Sequence, residues 1–297
     1  MLRILLGCIS LVLYVVVLMV CAIFVLIGAI VLCFIPCPSW RIAYQRHFLQ
    51  RLPVLHAELN HWVIGISTRG LWDISGVGEL KKEGWYMMIS NHQSWVDILV
   101  LYNAFNHKIP PLKFFMKKEL LWQLPIAGIA CYALGYPFMS RHSHADIRKN
   151  PALKGKDVEI AKQACARLRH FPTTLINFIE GTRFSLKKKE HQQSPFAHLL
   201  KPRAGGLAVV LQELNDKLSG VINVVIYYPK KKLTPWNFVC GNFEKIIVRY
   251  EVIPLSAQLV GDYYKDRQFR SHFQQWLNGV WKKNDALLTD LKKEHEH

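Results

Sequence analysis

Between Arg3 and Arg41 the sequence carries no charged residue. Residues 4 to 36 are almost all Leu, Val, Ile, Phe, Ala, Cys and Met, which excludes an ordinary solvated N-terminus. Acid is scarce throughout: 21 Asp and Glu stand against 38 Lys and Arg, a formal net charge of +17. That balance disfavours acidic surfaces as a feature of this chain and favours anionic partners. The seven cysteines (Cys8, Cys21, Cys33, Cys37, Cys131, Cys165, Cys240) form no Cys-x-x-Cys pair, so neither a disulfide framework nor a structural zinc site is indicated. Scattered thiols fit a reducing, cytosol-facing compartment. There is no Gly-x-Ser-x-Gly elbow, which argues against a serine hydrolase. No constellation of ligating side chains calls for a metal.

What is present is an unusual pairing of 51% hydrophobic residues with that positive charge. It suggests a chain inserted in a membrane and lying on an anionic surface. Residues 1–40 read as the membrane anchor and 41–297 as a second, catalytic unit. As one helix, residues 4 to 36 extend ~50 Å, more than the ~30 Å hydrocarbon thickness. The helix is then strongly tilted, or its last turns run along the interface toward Pro36-Cys37-Pro38. A two-pass hairpin is the other option, with Gly7 and Gly28 as its only glycines. The run is too long for the usual core of a cleaved signal peptide and lacks a small-x-small site. Trp40, Arg41, Arg46 and Arg51 follow at once, a cytoplasmic flank by the positive-inside rule.

Farther on, helical spacing from Tyr44 to Ile66 is followed by short apolar runs alternating with helical patterns. Trp85–Ile89, Tyr136–Met139, Thr174–Ile179, Gly220–Tyr228 and Lys245–Val252 read as strands, and Val158–His170 as an amphipathic helix. From Tyr263 onward the apolar positions mark an amphipathic helix pair. Strands alternating with helices imply an α/β fold, with a mostly parallel central sheet flanked by helices behind the N-terminal membrane-anchoring helix. His47, His56 and His61 have no ligand-like partners and read as solvated or capping side chains. The clusters Lys187–Lys189 and Lys230–Lys232 are solvated faces or contacts for anionic headgroups. Nothing in the pattern supports nucleic-acid binding.

The stretch Asn91-His92-Gln93-Ser94-Trp95-Val96-Asp97 sits between the Trp85–Ile89 strand and an apolar helix start. A histidine at a strand end with an acid five positions on is a plausible general base with its orienting carboxylate. An imidazole with an unperturbed pKa of ~6.5 can take a proton from an alcohol at neutral pH. The plainer reading makes Ser94 a helix cap and Asp97 its first-turn answer; the two are compatible.

Two further strands end in an arginine, Arg141 after Gly135-Tyr-Pro-Phe-Met-Ser140 and Arg183 after Phe178-Ile-Glu-Gly-Thr182. Gly181 would let the backbone come close to a ligand. In a parallel sheet the C-terminal strand edges face one crevice, so His92, Arg141 and Arg183 are expected in one site. The planar fork of arginine suits a phosphate dianion. The alternative is that each arginine pairs with a local acid, Glu180 being the candidate for Arg183.

These segments resemble the motifs of the lysophospholipid acyltransferase family, the glycerophosphate and lysophosphatidate acyltransferases. Asn91–Asp97 matches the His-x4-Asp motif, Gly135–Arg141 resembles the second block and Phe178–Arg183 the third. Val221–Pro229 stands where the fourth block belongs, with Asn223 in place of the proline of many members. Asn223-Val-Val and the segment Trp276–Leu288 are closer to the lysocardiolipin-type branch. The resemblance spans roughly residues 70 to 290, and the first and third motifs together are specific.

It implies acyl transfer from a thioester, acyl-CoA or acyl-carrier protein as co-substrate, to the free hydroxyl of a lysophospholipid. His92 would deprotonate that hydroxyl and Asp97 would fix and stabilise the imidazole. Arg141 and Arg183, with Glu180, Gly181 and Thr182 of the same block, would hold the acceptor, and Lys117 and Lys201 are secondary candidates. No cofactor and no metal are implied. The expected acceptor is lysophosphatidate; lysophosphatidylglycerol or lysocardiolipin is the alternative, and an inactive anionic-lipid binder a third reading. The expected place is a membrane, bacterial inner membrane or endoplasmic reticulum, with the catalytic unit facing the cytoplasm.

Overall fold

A computed structural model describes residues 1–68, 70–139, 156–229 and 233–295. The chain opens with α1 (Leu2–Phe34), one uninterrupted helix of 33 residues, so the hairpin alternative is not adopted. Helices α2 (Pro38–His47) and α3 (Leu52–Thr68) follow. Next come β1 (Trp72–Val77), β2 (Trp85–Ser90), α4 (Asp97–Phe105), β3 (Leu112–Phe114), β4 (Met116–Lys117), α5 (Leu120–Gln123), α6 (Pro125–Ala133) and β5 (Phe138–Met139). The second half holds α7 (Lys156–Leu168), β6 (Thr174–Phe178), α8 (Leu186–Gln192), α9 (Ala204–Glu213), β7 (Leu218–Tyr227), α10 (Pro235–Val239), β8 (Ile246–Ile253) and α11 (Arg267–His295).

Six strands form one sheet in the order β1-β8-β7-β2-β6-β3. β7, β2, β6 and β3 are mutually parallel; β8 runs antiparallel to β7 and parallel to β1. The sheet is thus mostly parallel, as the alternation of strands and helices implies. Both of its faces are covered, which is why β2 reads as a continuous apolar run and not as an alternation. Tyr86 and Met88 enter one apolar cluster with α1, α3, α4 and α6, while Met87 and Ile89 enter another with α7, α9 and α11. All four side chains are buried.

Two expectations change, and one strand goes unforeseen. The helix pair expected beyond Tyr263 is a single helix of 29 residues. It contains no proline, its one glycine, Gly279, faces open space, and its buried positions Phe273, Leu277, Val280, Trp281, Asn284, Leu288 and Leu291 form one helical stripe that continues past that glycine. The strand expected at Tyr136–Met139 shrinks to Phe138–Met139 and pairs with β4 in a separate two-stranded ladder. Gly135 turns the chain there with φ +78°, so this segment does not extend the central sheet. The edge strand β3, only three residues long and directly after Pro110-Pro111, carries too little pattern to be read from sequence.

α1 does not stand apart from the rest. Gly7, Ser10, Cys21, Ala22, Val25 and Gly28 are buried, and Ala22 and Val25 belong to the same apolar cluster as Met88 and Ile176. Gly7 and Gly28 are close-approach points: a Cβ at Gly7 would collide with the Cys240 side chain, and one at Gly28 with Leu49 and Phe48. The opposite face of α1, including Val12, Val16, Ile23, Phe24, Ile27 and Ile30, is exposed and apolar. The boundary expected at residue 40 therefore separates sequence patterns but runs through one packed cluster.

Candidate active site

β2 is central, flanked by β7 and β6, so the C-terminal ends of these parallel strands deliver their following residues to one edge. Asn91 ties the first of them down. Its side-chain amide donates to the Ile226 carbonyl at 2.9 Å and its amide oxygen accepts from the Ile226 N–H at 2.8 Å, which extends the β2–β7 ladder by one side chain. Ser94 donates to the Leu233 carbonyl and accepts from the Val96 N–H, so it anchors the turn without capping α4.

Asp97 begins α4 and folds back over the turn. Its Oδ2 accepts from His92 Nδ1 at 2.8 Å, from the Gln93 N–H at 2.6 Å and from the Ser94 N–H at 2.9 Å. Its Oδ1 accepts from the Tyr228 hydroxyl at 2.6 Å. The helix-start role and the histidine-orienting role of Asp97 are therefore one arrangement: five positions is the reach of a carboxylate in the first turn back across Gln93–Val96. With Nδ1 engaged, Nε2 has no partner among the described residues, and His92 lines a cavity of about 530 Å³. Its ring stacks on Phe178, centroids 4.0 Å apart and planes 16° from parallel.

The cavity is largely apolar and runs from His92 toward the N-terminal helices. Leu18, Cys21, Ala22 and Val25, one face of α1, form part of its wall. His56 of α3 also lines it and is not the solvated side chain expected; burial holds its imidazole below the ordinary histidine range. Gly181, Thr182, Arg183 and Lys117 complete the end near His92.

The third block divides its labour. Gly181 turns the chain with φ +71°, and a Cβ there would press on the Arg203 side chain at 3.1 Å. Thr182 Oγ1 accepts from Lys188 Nζ at 2.7 Å, and the same ammonium donates to the Arg183 carbonyl at 3.0 Å. The Arg183 guanidinium lies 4.0 Å from the Trp95 ring centroid, over its face, so Glu180 is not its partner. Glu180 is buried behind the turn and lines no cavity wall, a correction to its expected place against the acceptor. Its carboxyl accepts from the His92 N–H at 3.3 Å and the Leu200 N–H at 3.2 Å, and burial pushes its pKa up to about 8. Lys201 is exposed and likewise does not line the cavity. Arg141 lies outside the described residues.

Sequence reading did not single out Tyr228, Trp95 or the α1 face, and it took Lys188 only as one of a basic cluster. Nor did it find Lys113, buried on β3, whose Nζ donates to the Leu134 carbonyl at the end of α6 at 2.8 Å; burial lowers its pKa to about 8. Among the described residues no group of three or more His, Cys, Asp and Glu could hold a metal ion.

The family model described as Acyltransferase matches residues 73–226, more than half of the chain and all of the His92, Asp97 and Gly181–Arg183 geometry. The chain belongs to the Acyltransferase family. Within Saccharomyces cerevisiae it is similar to an uncharacterized acyltransferase, 26% identical over 69% of this chain and 58% of the relative. It is also similar to 2-acyl-1-lysophosphatidylinositol acyltransferase, 24% identical over 67% of this chain and 59% of the relative. The acyltransferase chain thus spans less than two thirds of the length of these curated relatives. Its fold is that of the 1-acyl-sn-glycerophosphate acyltransferase PlsC from Thermotoga maritima, with a TM-score of 0.54, 16% identity and coverage of 97% of this chain and 96% of that one.

Asn223 of the fourth block has a structural explanation. It is buried and exchanges two hydrogen bonds with Asn284 of α11, at 2.8 and 2.9 Å. The substitution is answered across the sheet by a partner helix and does not line the cavity.

Proposed function

We propose that this acyltransferase moves a fatty acyl group from a thioester donor to the free hydroxyl of a lysophospholipid. The observation that carries the reading is a histidine with one nitrogen fixed by a buried carboxylate and the other unpartnered, at one end of an apolar cavity rimmed by arginine. His92 Nε2 takes the hydroxyl proton as the acceptor oxygen attacks the thioester carbonyl; the tetrahedral intermediate collapses with the thiolate leaving. Asp97 holds the tautomer and stabilises the imidazolium without taking its proton. No enzyme nucleophile is required, because a thiolate already leaves readily.

The cavity suits the acyl chain, and Arg183, with Lys117 elsewhere on the same lining, suits the acceptor's phosphate. Arg141 remains part of this proposal on its sequence position alone. The acceptor is lysophosphatidate, the substrate named for PlsC; lysophosphatidylinositol, named for the yeast relative, is the competing acceptor. The donor is acyl-CoA or acyl-carrier protein. The exposed apolar face of α1 would sit in the bilayer, with Arg41, Arg46 and Arg51 on the cytoplasmic side. Mass spectrometry of membranes given labelled acyl donor and a panel of lysophospholipids tests this. Labelled phosphatidate, lost in His92→Ala, is expected; label in another phospholipid would reassign the acceptor, and no label in any would sink the activity.

A further inference from the structure

Both oxygens of the Asp97 carboxylate accept hydrogen bonds, and one of the four donors is remote in sequence. Oδ2 gathers the His92 ring and two N–H groups of its own turn; Oδ1 takes the Tyr228 phenol alone. Tyr228 directly follows β7, next to the strand that carries His92, and is buried with Asp97 as the partner of its hydroxyl. Burial and the adjacent carboxylate push its pKa far above the ordinary tyrosine range, so the phenol stays protonated and donates.

We propose that Tyr228 is a positioning residue for acyl transfer, setting the orientation and basicity of Asp97 and through it the proton affinity of His92. The inference rests on the reading of His92 as the base. A phenol hydrogen bond draws negative charge toward Oδ1, away from the oxygen that faces the imidazole. It also adds a restraint from the opposite oxygen to the three Oδ2 contacts that hold the carboxylate's orientation. The fourth block then contributes to chemistry through its end: Ile226 anchors Asn91, and Tyr228 sets the acid behind the base.

Other charged or titratable groups near His92 are accounted for. Glu180 meets its backbone N–H from the end of β6; Arg183, Lys117 and His56 share its cavity from the third block, β4 and α3, as do Cys21 of α1, Tyr102 of α4, Cys131 of α6 and Tyr136. None of these touches Oδ1 of Asp97. Changes at Tyr228 are therefore read through Asp97.

The test uses the full chain in mixed micelles with lysophosphatidate and acyl-CoA, comparing wild type, Tyr228→Phe and site-specific 3-fluorotyrosine at position 228. Tyr228→Phe is expected to lower kcat ~10- to 100-fold with KM for both substrates little changed. Unshared charge on Asp97 stabilises the imidazolium, so the acid limb of the kcat/KM profile should move up by roughly 0.5–1 pH unit. The fluorinated phenol is more acidic and donates more strongly, so its acid limb should move the other way. Acid limbs that superimpose on wild type in both proteins overturn the proposal, even if kcat falls, since a packing defect alone would do that. If Tyr228→Phe does not fold, the fluorinated protein decides by itself. His92→Ala is assayed alongside: retained activity there refutes the base reading, whereas an inactive His92→Ala with silent position-228 proteins refutes only the role of Tyr228.

Discussion

Arg183 lies over the face of Trp95, its guanidinium carbon 4.0 Å from the ring centroid, and both residues line the cavity with His92. The cation–π contact holds the guanidinium in place without using its N–H donors, which can then serve a phosphate. Arg183→Lys keeps the charge but loses both properties, so the apparent affinity for the acceptor should fall ~10- to 150-fold, the scale of 1.5–3 kcal/mol for a charge-assisted contact. Trp95→Ala should cost less, about 2- to 5-fold, the scale of an exposed cation–π contact. Separate titrations of acceptor and donor check this; a loss confined to the donor would assign the arginine to the thioester carrier.

His92→Ala should lower the rate ~10²–10⁴-fold without loss of expression. Asp97→Asn should fall by at least ~10²-fold, because a neutral amide can accept from the Gln93 and Ser94 N–H groups but cannot stabilise the imidazolium. Activity above half of wild type in His92→Ala removes it as the base.

Ala22 lines the cavity from α1 and is 5% exposed. Ala22→Phe places a ring in the space assigned to the acyl chain, so preference should move to shorter donors. Each excluded methylene forfeits ~0.8 kcal/mol, about 4-fold in relative rate. An unchanged chain-length profile would mean that the acyl chain binds elsewhere.

Glu180 makes stability depend on pH. Its pKa is about 8 in the fold and ~4.3 in an unfolded chain, so the native state binds more protons between those values. Stability from this group is fully present below pH ~4.3 and is lost as pH rises toward 8. Denaturation followed from pH 5 to 8 should show this decline, and Glu180→Gln, which does not titrate, should flatten it. A slope equal to that of wild type would contradict the assignment.

Asn223 and Asn284 satisfy each other across the β7–α11 contact. Either Asn→Ala change strands a buried amide and should cost ~1–3 kcal/mol, while the double change should cost less than the sum. Acceptor preference should not move in any of the three, as read by competition between lysophospholipids.

Much of this arrangement was legible because it is local. β2, β6 and β7 announce themselves as apolar runs, since a strand covered on both faces needs nothing else. His92 and Asp97 could be paired in advance because both lie on one turn. The Gly181–Arg183 turn was legible too, though the true place of Glu180 was not: its partners, the His92 and Leu200 N–H groups, lie on other segments. Tyr228 was hidden for the same reason, since 131 positions separate it from Asp97 and only the β2–β7 pairing brings them together. Trp95 was in plain view, but only the fold shows that Arg183 covers it. The helix pair expected beyond Tyr263 failed on turn chemistry, because Gly279 alone does not break a helix whose apolar stripe continues past it.

The face of α1 that lines the cavity carries a practical consequence. A fragment beginning after residue 40, the natural choice for a tractable preparation, would keep His92, Asp97, Tyr228 and Arg183 and still lack one wall of the chamber. Such a fragment would hold its reagents in place while leaving the long tail of the donor open to water. The helix that reads in sequence as a tether is thus also part of the vessel, and cutting it away would open the chamber on that side.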